Sequence, residues 1–135
     1  QRFEVLFVCG NCSRVLSSLD RRFTTLQIRR AFTVFQLMAV LEESHHSLLI
    51  IEHDPLLYQD AEEMAEYVSQ AMRAAARQST VLLYSPASDP SLEVMTGYAD
   101  RVFYFGRGPE AAPRHSAKSC RRAQAQCGQS TLEAF

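Results

Sequence analysis

A mainly parallel α/β sheet in three layers, with four to five strands and helices on both faces, is the architecture this 135-residue sequence predicts. Three observations predict it. The stretch Ser47–Pro55 reads Ser-Leu-Leu-Ile-Ile-Glu-His-Asp-Pro, a short unbroken apolar run closed by polar and turn residues. That is the pattern of a strand covered on both faces. Similar runs occur at Phe3–Cys9, Thr80–Tyr84 and Arg101–Phe105. Between the runs lie stretches with helical spacing and recognisable caps, and strands that alternate with helices pair in parallel through right-handed crossovers.

In chain order, Arg2–Cys9 is rich in aromatic and β-branched residues and stops at the turn pair Gly10-Asn11, which predicts a first strand. Ser13–Phe23, with Val15, Leu16 and Leu19 on one side, predicts a short helix. Thr24–Phe32 alternates weakly and carries Arg29-Arg30, as a connection or an edge strand does. Thr33 with Gln36 forms a capping box, so Val34–Glu43 is expected to be a helix facing the core with Val34, Leu37, Met38 and Leu41. The central strand follows. Asp60 with Glu63 reads as a second capping box, opening a helix over Ala61–Arg77 whose acids and arginines match the dipole at each end. Thr80–Tyr84 is a strand. Asp89-Pro90 is an N-cap followed by proline at the first helical position, predicting a helix over Ser91–Ala99 before the last strand.

Three parts are expected: an α/β domain over 1–106, a flexible basic linker over 107–128 and a short terminal peptide over 129–135. Arg107, Arg114, Lys118, Arg121 and Arg122 face a single Glu110 in the linker, which has almost no large apolar residue. The net charge of −1 provides no global attraction to nucleic acid. With no apolar stretch of membrane-spanning length and no visible secretion signal, the expected location is cytoplasmic and nucleoid-associated. Cys9, Cys12, Cys120 and Cys127 are then expected as thiols or metal ligands rather than disulfides.

From about Leu26 to Phe105 the chain resembles the later half of a RecA/RadA-type ATPase core. Arg30-Ala31-Phe32-Thr33 with Gln36 is similar to the Arg-Ala-Tyr/Phe-Asn…His-Gln stretch of archaeal RadA. Leu48–Glu52 stands in the position of the Walker B strand, Val81–Ser85 in that of the sensor strand, and Asp100–Phe105 in that of the closing strand. The departures matter as much. No Gly-x-x-x-x-Gly-Lys-[Ser/Thr] occurs, the only lysine is Lys118, and Glu52 stands where the family has its metal-linked aspartate. Without that cradle the β- and γ-phosphates have no site. The resemblance therefore implies an ATPase-like fold without ATP hydrolysis and without a cofactor.

Gln129-Ser130-Thr131-Leu132-Glu133-Ala134-Phe135 is similar to the Gln-x-x-aliphatic-x-x-aromatic box by which replication and repair proteins attach to the sliding clamp PCNA. A single helical turn would put Leu132 and Phe135 on one face as an apolar plug, with Gln129 in a polar pocket. Lys118, Arg121 and Arg122 add attraction to an acidic clamp surface.

Other constellations compete. Cys9-Gly10-Asn11-Cys12, between a strand and an expected helix, has the setting of a redox Cys-x-x-Cys, against the plain reading of ordinary thiols. Cys120 and Cys127 would complete a four-thiolate zinc site with them only through a long spacing. Glu52 and Asp54, on one side of a strand end with His53 opposite, form a candidate acidic site, against the plain reading of a polar strand end. His45-His46 and Arg29-Arg30 read as solvated pairs, the arginines with a weak direct DNA contact as the alternative. The function expected from the whole is a non-catalytic replication or repair accessory protein. It binds PCNA by its terminal peptide and another replication or repair protein by its core. The alternatives are a small metal-dependent nuclease and a thiol oxidoreductase.

Overall fold

The four apolar runs become four of the strands of one six-stranded sheet. In the computed structural model, residues 2–20, 22–106 and 131–134 are described. The strands are β1 (Val5–Cys9), β2 (Leu26–Arg30), β3 (Leu48–Glu52), β4 (Thr80–Ser85), β5 (Arg101–Tyr104) and β6 (Thr131–Ala134). The helices are α1 (Val34–Glu43), α2 (Met64–Ala75) and α3 (Pro90–Thr96). β1 to β4 pair in parallel, as the alternation of strands and helices predicts. β6 runs antiparallel between β4 and β5, giving the order β2-β1-β3-β4-β6-β5, so β5 points the same way as β4 without pairing with it.

The order of the strands decides where the helices go. The crossovers from β2 to β3, β3 to β4 and β4 to β5 all step the same way across the sheet. Right-handedness then sends α1, α2 and α3 to one face. Packing agrees: Leu6, Val8, Leu49, Ile51, Val81 and Leu83 form one core with Val34, Leu37 and Leu41 of α1, Val68 and Met72 of α2, and Leu92 and Met95 of α3. The connection from β1 to β2 steps the opposite way and crosses the second face. There Val15, Leu19 and Phe23 lie beside Val5, Phe7, Leu26, Leu48 and Ile50 around an open apolar groove. Leu82, Tyr84 and Phe103, on the same face by register, are half-buried. The third layer is thus missing among the described residues, where helices cover one face only.

Local chemistry explains the other departures. The helix expected over Ser13–Phe23 is a single 3-10 turn, Leu16–Ser18. Ser13 Oγ accepts from Leu16 N at 3.1 Å and Ser17 Oγ donates to Arg14 O at 2.7 Å, side-chain bonds that compete with helical pairing. α2 begins at Met64, and no side chain caps it. Asp60 and Glu63 are not its box, because the chain enters α2 through a 3-10 turn (Pro55–Tyr58) and further tight turns. Carbonyls of these turns satisfy the early amides: Ala61 N donates to Tyr58 O, Met64 N to Ala61 O and Ala65 N to Glu62 O. The other caps form as expected. Thr33 Oγ1 accepts from Gln36 N at 3.2 Å, and Gln36 Oε1 reaches back to Phe32 N at 2.8 Å. Asp89 caps α3 through Ser91 N and Leu92 N. The expected flexible linker, including Lys118, Arg121 and Arg122, lies outside the described residues.

Candidate functional site

In an open α/β sheet a ligand crevice opens at the carboxyl edge, between adjacent strands whose connections leave to opposite faces. Here those strands are β1 and β3, so the crevice belongs between the loop after Cys9 and the loop after Glu52. The chain's own groups fill it. The Ser13 hydroxyl donates to Glu52 Oε2 and the Arg14 amide to Glu52 Oε1 at 3.2 Å, so both carboxylate oxygens are engaged. Asp54 Oδ1 accepts from Leu56 N at 3.0 Å, capping the 3-10 turn. Its Oδ2 occupies the space beside Gly10 that a Cβ would need, which explains a glycine there. What remains is a cavity of about 10 Å³, lined in part by Cys9, Glu52, His53 and Asp54, room for one water at most.

His53 turns away from Glu52 and Asp54, toward the start of α3. Its side chain is 1% exposed, and Nε2 lies 2.6 Å from Asp89 Oδ2. Ser91 Oγ is 3.3 Å from the same nitrogen and donates its own proton to Asp89 Oδ1. Tyr58 stacks on the imidazole, with ring centroids 5.6 Å apart. Burial pushes the Asp89 carboxyl upward, but hydrogen bonds from His53 and Ser91 and the His53 charge outweigh it and hold Asp89 well below the usual carboxylate range. An ionised carboxylate only accepts, so Nε2 carries a proton. Burial, reinforced by the Asp89 and Asp54 charges, raises the Tyr58 hydroxyl far above its ordinary value.

Serine, histidine and aspartate thus meet, but not as a relay. A nucleophile relay needs acid and hydroxyl on opposite ring nitrogens, the second free to take a proton. Here both converge on Nε2. The cluster instead ties the end of β3, the Pro55–Tyr58 turn and the N-terminus of α3 together. Sequence reading found Asp89 only as a helix cap and missed its partnership with His53. The β3, β4 and α3 ends share the carboxyl edge of the sheet, and that shared edge is the signal that would have paired them.

The cysteines do not present a redox pair. Cys9 is buried with Sγ 4.0 Å from Arg29 O, and burial pushes its thiol up despite the opposing Arg30 charge. A redox Cys-x-x-Cys needs the reverse, a thiol acidified at a helix start, and a three-residue 3-10 turn replaces that helix. Cys12 is exposed, and both thiols are free. Cys120 and Cys127 lie outside the described residues. Among the described residues no group of three His, Cys, Asp or Glu side chains is placed to hold a metal ion. Arg29 pairs with Glu43 at 3.3 Å on the surface, and Arg30 Nη1 donates to Asn11 O at 3.4 Å. His46 bonds Ser44 and Gln27.

Of the clamp-box residues, Gln129 and Phe135 lie outside the described residues. Leu132 sits in β6, in register with Tyr84 and Phe103. The helical turn expected after Gln129 is replaced over Thr131–Ala134 by extended backbone paired on both sides.

No family model matches the chain. It is 34% identical over 101 residues to an uncharacterized protein of Archaeoglobus fulgidus, a match covering 74% of this chain and 52% of that protein. The chain spans about half the length of the curated relative it matches. Among the described residues no helix is long and apolar enough to cross a membrane.

Proposed function

We propose that the protein is a non-catalytic accessory of DNA replication or repair, docking on the sliding clamp PCNA through Gln129, Leu132 and Phe135. A second replication or repair protein is engaged by the α/β body. The observation that carries the non-catalytic reading is the commitment of Glu52, Asp54 and His53 to bonds within the fold, at the edge where chemistry would sit. The assignment to the clamp rests on the Gln-x-x-Leu-x-x-Phe spacing and on Lys118, Arg121 and Arg122 upstream of it. The second contact is supported by the apolar sheet face that no described helix covers, since parallel strands ordinarily have both faces packed. The test is calorimetric titration of an archaeal PCNA with the intact chain and with Phe135→Ala. Binding by the intact chain that weakens by at least about 30-fold in the variant is expected, a hot-spot loss of about 2 kcal/mol. Equal binding by both, or by neither, rejects the reading.

A further inference from the structure

We infer that the gap between β4 and β5 is an acceptor slot for an extended peptide, that Thr131–Ala134 is its resident occupant, and that occupancy of the slot excludes engagement of the clamp. The slot is a product of topology. The crossover through α3 skips one strand position, leaving β4 and β5 codirectional and two strand spacings apart, roughly 9.5 Å. At that distance neither reaches the other's backbone. Only a strand laid between them satisfies the facing edges, and it must bond on both sides. β6 does this: Leu82–Ser85 of β4 and Arg101–Tyr104 of β5 both pair with Thr131–Ala134, antiparallel in each case. β4 bonds β3 along its other edge and β5 buries Val102 in the interior, so the slot between them takes one extended peptide.

The exclusivity follows from backbone conformation and rests on the proposed clamp reading. Leu132, Glu133 and Ala134 are extended in the slot, whereas the clamp-bound box requires them in a helical turn that aligns Leu132 with Phe135. One segment cannot hold both conformations. The clamp therefore binds only the fraction of molecules whose slot has been vacated, and the apparent affinity falls by that fraction. Vacating the slot leaves two facing rows of unpaired amides and carbonyls, a receptor for another extended peptide by strand addition.

The test uses the full chain and amide hydrogen exchange. On saturation with PCNA, protection at Leu82–Ser85 and Arg101–Tyr104 is expected to fall while the β1–β3 amides keep theirs. Glu133→Pro removes a ladder amide but spares Gln129, Leu132 and Phe135. It is expected to open the same two strands without the clamp and to tighten clamp binding by on the order of tenfold, with Glu133→Ala changing neither. Clamp binding that leaves β4 and β5 fully protected overturns the exclusivity and spares the clamp reading. Failure of the clamp to bind even Glu133→Pro overturns the clamp reading, and protection of β4 and β5 unchanged in that variant overturns the slot.

Discussion

Replacing Asp89 by alanine removes two structural roles of one carboxylate at once. One carboxylate caps α3 through the Ser91 and Leu92 amides and also receives the Nε2 proton of His53. Loss of an N-cap costs about 1 kcal/mol. Leaving the Nε2 proton of an imidazole that is 1% exposed without its main acceptor costs about 1–3 kcal/mol more. The two losses share a carboxylate that is 19% exposed, so about 3 kcal/mol is expected in total, not the upper sum. Urea denaturation followed by circular dichroism reads this directly, and the melting temperature should drop by roughly 10 °C. Acid adds a second arm. The folded carboxyl is held below its unfolded value, so its contribution is fully present above the unfolded value near pH 4 and is lost as pH falls through the folded one. The stability gap between the natural protein and Asp89→Asn should therefore shrink as pH falls below about 4. A loss under about 1 kcal/mol for Asp89→Ala, or a gap that does not narrow in acid, would refute the assignment of Asp89 as the shared acceptor.

Two further outcomes test the filled crevice. Gly10→Ala should destabilise by roughly 1–2 kcal/mol, because the new methyl displaces Asp54 Oδ2 and with it the cap on Leu56; denaturant unfolding of that variant beside Gly10→Ala/Asp54→Ala shows whether the two losses overlap. In the folded protein Cys12 should react with a thiol reagent at neutral pH, while Cys9, buried and pushed up, should stay unmodified until unfolding. Mass mapping of the labelled peptides decides it.

What could be read from the sequence was what burial writes into composition. β1, β3 and β4 are apolar runs because one face packs under the helices, the opposite face is at least partly buried and both edges are paired, and the Thr33 and Asp89 caps announce α1 and α3. β2 was ambiguous for the opposite reason. It is an edge strand with Gln27, Ile28, Arg29 and Arg30 all exposed, so burial leaves no pattern on it. β6 left no signal at all. Thr-Leu-Glu-Ala is a poor strand by composition, and its conformation is imposed by neighbours far away in the chain. Helical spacing of Leu132 and Phe135 pointed instead to a turn. At the carboxyl edge, Glu52, His53 and Asp54 were visible as candidates, but their partners Ser13, Asp89 and Ser91 come from other loops. Only the strand order brings those loops together.

The insertion of β6 also sets the order in which this chain can finish folding. β1 to β4 and the first two helices draw on contacts between neighbouring segments, so they can assemble as they are synthesised. Among the described residues β5 has no strand beside it except β6, which arrives only after the intervening stretch from 105 to 130 has been made. A nascent chain paused within the stretch would carry a docked α3 and an unzipped β5, and ribosome-bound intermediates stalled there should be cut by protease at β5 while the β1–β4 region resists.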